Sequence, residues 1–421
     1  MRSASERSSD IAKLGVQRMD KPENSFAFTT EAAVLAKVMA NVSGAIERRS
    51  TVPILANVMM AASDGRVTFT ATNLEVTIAE GVPASDIRDG SVTVYAPAIA
   101  RIAKSLSPND VVRLEVAGDK LRVTSGDFSA ELFVIDPADF PRPGRADMEF
   151  PHSFSIAGRR LKACLDHVSH AISTELTRYY LNGAVIEATA GGGDAELRVV
   201  ATDGHRLALI KTPSIPGLSA FPETIIPRKA VHQLRKLLAR YSGDVLVRMT
   251  DWQADAMAKH ALSKEQRPNY VSMPALITFE FGQMLVAVKP IDGKFPDYRR
   301  VIPQSPQKVL TIQRETLRAG LGRVTAISSD RYMPVALNLT PEKVMLTVRH
   351  PDHGASETKL NGTTQYTGAA LEIGFQGRYL SDALASFGDD LEIRFGDSAA
   401  PVTLRTAGDD SALEVVMPCR I

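Results

Sequence analysis

The chain has 421 residues, 49 basic and 48 acidic side chains, a net charge of +1 and 44% hydrophobic residues. That length exceeds one hydrophobic core and suits about three domains. The composition excludes a disordered chain, a generic polycation and, since no apolar run reaches ~18 residues, a helical membrane protein. Two cysteines, Cys164 and Cys419, rule out a disulfide framework and make the cytoplasm the expected compartment.

Residues 1–24 carry Arg2, Arg7, Lys13, Arg18 and Lys21 among Glu6, Asp10, Asp20 and Glu23, with no apolar core. They read as a disordered tail rather than a signal peptide. Leu35, Val38, Met39 and Val42 then have the spacing of one apolar helix face. The spacing returns at Leu161, Cys164, Leu165 and Val168, 126 residues on, and at Leu317, Leu321 and Val324, a further 156 residues on. A period that long is a domain, not a solenoid repeat of roughly 20–50 residues. Each helix is followed by an apolar, strand-like run: Val52 to Met60, Tyr179 to Ile186 and Met333 to Leu339.

Further strands follow, as at Arg66 to Ile78, where Val67, Phe69 and Ala71 alternate with polar residues. A second helix comes next in each repeat. Its stripe is Ile99, Ile102, Ala103 and Leu106, then Val231, Leu234, Leu237 and Leu238, then Tyr379, Leu380, Ala383 and Leu384. Pro227 is expected in a helical first turn, where its missing N–H costs nothing. Closing strands are expected at Val111 to Val123, Val245 to Met249 and Leu391 to Phe395. Asp139-Phe140-Pro141 and Lys294-Phe295-Pro296-Asp297 end the first two repeats alike. The boundaries fall near 147 and 304: a tail over 1–24, then domains over 25–147, 148–304 and 305–421. The longer second period is absorbed by a polar surface insert at about 251–275.

Gly191-Gly192-Gly193-Asp194 reads as a hairpin turn, since no helix follows to make a phosphate cradle. Thr202-Asp203-Gly204-His205-Arg206-Leu207 joins two strands. Asp203 and His205 could be drawn as a hydrolase dyad, yet Asp-Gly between strands is first a tight turn, and no nucleophile elbow or P-loop accompanies it. His350 and His353 lack an evident third metal ligand and read as loop residues. Neither a metal nor a cofactor is called for, and no catalytic residue is assigned. Between Arg228 and Arg240 stand five basic residues and no acid (Arg228, Lys229, Arg235, Lys236, Arg240). Such a helix suits sequence-independent contact with phosphates. Met417-Pro418-Cys419-Arg420-Ile421 extends a strand and reads as a docked end rather than a frayed one.

Several phrases together resemble one family, the beta subunit of bacterial DNA polymerase III, the sliding clamp. They are Thr51 to Leu55, Arg178 to Gly183, Val200 to Ala208, Pro227-Arg228-Lys229, Gly293 to Val301 and Val415 to Pro418, in family order over residues 25–421. The resemblance implies an α+β DNA clamp fold of three similar domains, each with two helices packed on antiparallel sheets. It further implies a ring-shaped homodimer around double-stranded DNA, a processivity factor and not an enzyme. The implied partners are the DNA polymerase III alpha subunit, the clamp loader and other clamp-motif proteins.

Matched residue by residue, the resemblance places a partner-peptide pocket at Arg178, Tyr180, Leu181, Thr202, Gly204, His205, Arg206, Leu207, Pro296, Arg300, Val301, Tyr332, Val415, Val416, Met417, Pro418 and Arg420. It turns Arg49, Lys104, Arg228 and Lys229 towards DNA. Dimerisation is expected to pair an edge near Phe128–Val134, through Leu132 and Phe133, with Ala326 and Ile327. Departures from the family are Cys419 and Ile421 at the end, Glu175 in a loop expected near DNA, and the uncharged Tyr95-Ala96-Pro97-Ala98. The alternative is a diverged clamp paralogue with an altered partner set or oligomeric state.

Overall fold

A computed structural model describes residues 25–47, 51–142, 148–189, 195–251, 275–304, 306–328, 330 and 333–421. The tail, nearly all of the insert and the Gly191–Gly193 turn lie outside these residues. The chain divides into two compact units. Unit 1 comprises Met1–Arg159 with Lys236–Pro290, and unit 2 comprises Arg160–Arg235 with Ile291–Ile421.

Among the described residues there are six α-helices: α1 (Ala32–Val42), α2 (Ala96–Ser105), α3 (Gly158–Val168), α4 (Arg228–Leu238), α5 (Arg314–Thr325) and α6 (Gly377–Leu384). Every one begins at the residue after a strand, for example after Ala27–Glu31 for α1 and Lys308–Gln313 for α5. The internal repeat is therefore a strand–helix unit used twice per domain. The stripes read from sequence are buried: Leu35, Val38, Met39 and Val42 on α1, Leu161, Cys164, Leu165 and Val168 on α3, Leu317, Leu321 and Val324 on α5. Burying one such side chain is worth about 1.5–3 kcal/mol. On α5 the position matching Val38 and Cys164 is Gly320, where a Cβ would sit 2.4 Å from Leu360 Cδ2. The incomplete third stripe thus marks a close approach of helix to strand.

Among the described residues, unit 1 holds a thirteen-stranded sheet, and unit 2 holds a nine-stranded and a four-stranded sheet, all with antiparallel ladders. In unit 1 Val76–Val82 pairs with Met284–Val288, setting Val76 opposite Val288 and Glu80 opposite Met284. In unit 2 Arg206–Lys211 pairs with Ala412–Val416, setting Arg206 opposite Val416 and Ile210 opposite Ala412. Each ladder is a joint between one repeat's strand and the closing strand of the next. It fuses the sheets of neighbouring repeats through main-chain hydrogen bonds.

Two local expectations are corrected. The runs Val52 to Met60 and Tyr179 to Ile186 are not strands throughout. Each opens with a 3-10 turn, Pro53–Ala56 and Tyr179–Leu181, before the strands Asn57–Ser63 and Gly183–Ala188. Apolar content alone cannot separate a buried tight turn from a strand. Pro227 ends the strand Thr224–Pro227 and precedes α4, rather than standing in its first turn.

Candidate functional site

The turn Thr202 to Arg206 is built by its own short side chains. Thr202 Oγ1 accepts the Gly204 N–H (3.1 Å) and donates to the Arg206 carbonyl (2.7 Å). Asp203 Oδ1 accepts the N–H groups of His205 (2.9 Å) and Arg206 (3.0 Å). Gly204 has φ +90°, and a Cβ there would lie 2.7 Å from Arg178 Nη1, so glycine serves both the turn and its neighbour. The Asp203 carboxylate is thereby committed to holding the turn, and its contact with His205 is through the backbone. The His205 ring stacks on Tyr379, with centroids 6.0 Å apart and 20° between planes. A hydrolase dyad is not what this geometry makes.

Arg206 is buried and satisfied on all sides. Nε reaches Asp203 Oδ2 (3.1 Å), Nη1 reaches Asp382 Oδ2 on α6 (2.7 Å), and Nη2 donates to the His170 carbonyl (2.5 Å). Its guanidinium also lies 4.6 Å from the centroid of the Tyr379 ring. Burial of a guanidinium is tolerable only with such complete pairing. Beside the turn, the closing strand delivers the chain end. Met417 N–H donates to the His205 carbonyl (2.9 Å), and Cys419 N–H donates to the Gly374 carbonyl (2.8 Å). At Gly374 a Cβ would clash with Ile421 Cγ2 at 2.2 Å, so this glycine leaves room for the terminal segment. The end is docked as the sequence suggested.

An apolar floor lies under the turn. Leu181, Val185, Val200, Leu207, Leu209, Ile225, Phe295, Tyr298 and Val415 form one buried cluster, with Tyr180 packed against it. Val416 is buried, whereas Met417 and Pro418 are half-buried. Arg178 is half-buried and donates to Glu175 (2.9 Å). Pro296, Arg300, Val301 and Arg420 are exposed, with Arg300 Nε on Asp297 Oδ2 (3.0 Å). Tyr332 lies outside the described residues. An apolar floor beneath a polar turn, rimmed by arginines, is a surface that can hold an extended peptide with one buried apolar residue.

Three groups beneath this surface escaped the sequence reading. Glu414 is fully buried, 3.2 Å from His170 Nε2 and 3.6 Å from His167 Nε2. Burial first, and then the negative Asp382 and Asp203 against the opposing Arg206, raises Glu414 well above the ordinary carboxylate range. Burial likewise lowers His167 and His170 to about 4. The His-x-x-His spacing on one helical face, and a glutamate at an inward-facing strand position, were the legible signals.

The basic surface is partly corrected. Asp166 of α3 accepts from Arg235 Nε (2.6 Å) and pairs with Lys162, so one of the five charges is neutralised across helices. Arg228 is exposed and Lys229 half-buried at the start of α4, and Lys104 is exposed in the last turn of α2. His232 on α4 is held below its usual value by burial and by the neighbouring Arg228 and Arg235. Arg49 lies outside the described residues. Leu132 is half-buried and Phe133 is 78% exposed on the strand Phe128–Ile135, while Ala326 caps α5 and Ile327 packs on the third-repeat core.

His350 and His353 stack with centroids 4.3 Å apart. His350 Nδ1 accepts the N–H groups of Asp352 (3.1 Å) and His353 (3.2 Å), which places the ring proton on Nε2, 2.8 Å from Asp330 Oδ2. This is a turn anchor, and no group of three or more metal-ligating side chains occurs among the described residues.

Three family models match the chain in sequence: the N-terminal domain of the DNA polymerase III beta subunit over residues 26–143, its central domain over 155–297 and its C-terminal domain over 299–420. The beta sliding clamp of Caulobacter vibrioides is 33% identical over 397 residues, covering 93% of this chain and 99% of that one. That of Escherichia coli K12 is 30% identical over 399 residues, covering 94% and 100%. A DnaN sliding clamp from Bartonella birtlesii, solved bound to griselimycin, superimposes with TM-score 0.84 at 33% identity over 94% of this chain and 100% of that one. With its strand–helix repeats, fused sheets and docked C-terminus, the chain belongs to the family of the DNA polymerase III beta subunit, the beta sliding clamps.

Proposed function

We propose that this chain is a DNA sliding clamp that closes head to tail as a homodimer around double-stranded DNA. Its role is then topological rather than catalytic: it keeps a replicative polymerase on its template in the bacterial cytoplasm. The carrying observation is the repeated joint. Strand Val76–Val82 takes the closing strand Met284–Val288, and Arg206–Lys211 takes Ala412–Val416. Among the described residues, the matching strand of the third repeat, Gly354–Lys359, pairs on one side only, with Lys343–His350. The matching closing strand of the first repeat, Phe128–Ile135, pairs fully with Lys120–Ser125 but meets its other neighbour only at Val134 and Ile135.

Two strands that pair at both internal joints are thus left with open edges at the ends of the series. A second copy supplies each with its partner, and doing so twice closes a ring and hides two aggregation-prone edges. Leu132 and Phe133 from one copy, with Ala326 and Ile327 from the other, are the proposed apolar contacts. Lys104, Arg228 and Lys229, with Arg49, would touch phosphates loosely and allow sliding. The domain boundaries at about 147 and 304 belong to this reading.

The surface at Thr202–Leu207 and Val415–Pro418 is the proposed dock for the polymerase alpha subunit, the clamp loader and other clamp-motif peptides. Its support is the apolar floor beneath satisfied polar groups. The test compares retention on nicked circular DNA with retention after linearisation. The clamp should stay on circles and run off free ends, and Leu132→Asp should abolish the difference by opening the ring. Equal retention on both DNA forms would overturn the proposal. A ring that holds DNA yet ignores a clamp-motif peptide would favour the diverged paralogue.

A further inference from the structure

The joint of unit 1 repeats the peptide-site turn of unit 2. Leu74 and Gly204 both have positive φ, 75° and 90°. The N–H of each donates to the threonine two residues back, Thr72 and Thr202, at 3.1 Å. Val76 N–H donates to Asn73 Oδ1 (2.8 Å) as Arg206 N–H does to Asp203 Oδ1 (3.0 Å). The incoming strand ends alike too: Lys289 N–H donates to the Glu75 carbonyl (2.8 Å), Met417 N–H to that of His205 (2.9 Å), and a proline follows each. Phe140-Pro141 matches Phe295-Pro296, with both phenyl rings buried. Beside this turn unit 1 has a cleft of about 270 Å³ whose lining includes Thr72, Leu74, Thr77, Arg142, Ala287 and Lys289.

The chemistry of the two places differs. The registers set Thr77 where unit 2 has Leu207, and Ala287 where it has Val415. The floor is therefore smaller and polar. Lys289 stands in the place of Met417, and Arg142 follows the proline as Asp297 does in unit 2. Glu75 is an acid on the same lining, in the place of His205. Thr72 Oγ1 and Thr77 Oγ1 are buried and 2.7 Å apart, and Thr72 Oγ1 also accepts the Leu74 N–H. Two hydroxyl hydrogens share a single such bond, which leaves one hydrogen to offer a ligand. In unit 2 the Thr202 hydrogen is used on the Arg206 carbonyl.

We infer that unit 1 carries a second linear-peptide site, quasi-equivalent to the proposed dock of unit 2, which holds an extended segment through an acidic side chain instead of an apolar one. Lys289 supplies the opposite charge at the rim, the threonine hydroxyl supplies a donor at the floor, and Leu74, 59% exposed, supplies a flanking apolar contact.

The test uses the full chain and two fluorescent peptides, one of alternating aspartate and alanine, the other carrying adjacent leucine and phenylalanine. The acidic peptide should bind with marked salt dependence, and Lys289→Glu should weaken it about tenfold. Lys289→Glu should not move the affinity of the apolar peptide more than about twofold. The inference falls if the acidic peptide is indifferent to Lys289→Glu, or if excess apolar peptide displaces it. Absence of apolar-peptide binding would instead count against the dock of unit 2, so the two failures are told apart.

Discussion

The turns Thr72–Val76 in unit 1 and Thr202–Arg206 in unit 2 have nearly the same hydrogen bonds and different side chains. Residue 74 is a leucine that faces outward with positive φ, whereas residue 204 is a glycine packed against Arg178. Residue 76 is an ordinary core valine, whereas residue 206 is a buried arginine with three polar partners. The joint thus needs the threonine, the Asx side chain and the ladder. The arginine and glycine are additions that serve a surface. What a repeat keeps is its backbone hydrogen bonding, and what it varies is the chemistry laid over it.

The comparison can be broken at Arg206. Arg206→Met should cost unit 2 about 3–5 kcal/mol, because Asp203 and Asp382 lose their buried partner. It should also remove clamp-motif peptide binding. Chemical denaturation followed by a probe in each unit is the check. A loss shared equally by both units, or none, would show that the arginine is not the local keystone inferred from its contacts.

A smaller effect is expected on exchanging the turn residues. Gly204→Leu should destabilise by about 1–2 kcal/mol, from a left-handed conformation imposed on a side chain and from the nearby Arg178. Leu74→Gly should leave stability nearly unchanged, since the strain relieved and the unfolded-state entropy gained oppose each other. Equal melting shifts for the two variants would argue against the difference in crowding around them.

The smallest effect concerns Glu414. Its native pKa is raised well above that of the unfolded chain, so above ordinary carboxylate pH the native state holds a proton that the unfolded state has released. Stability from this group is complete at low pH and is lost as pH rises towards the native value. Glu414→Gln, neutral throughout, should therefore overtake the parent protein on the alkaline side. His167 and His170 act in the opposite window: with native values near 4, they lower stability as pH falls from about 6.5. Parallel stability–pH curves for the parent and the glutamine variant would contradict the assignment to Glu414.

Much of this molecule was legible in its residues. Apolar spacing on α1, α3 and α5 announced a repeated domain, because helix periodicity is a local property of the chain. The phrase around Asp203 and Gly204 announced a tight turn for the same reason. The family phrases then gave the clamp fold and a set of residues for a binding surface.

Only the tertiary structure decided what those residues touch. It set Val416 opposite Arg206 and Val288 opposite Val76, pairings some two hundred residues apart that no local pattern encodes. It gave Arg235 an acid from another helix and brought Asp382 to Arg206. It sealed Glu414 between two histidines, where burial rather than neighbours in sequence sets the charge. The chain by itself determined its elements, since helix and turn preferences act over a few residues. The joints, their two chemistries and the titration beneath them arise from packing, which brings distant groups together and removes water from between them.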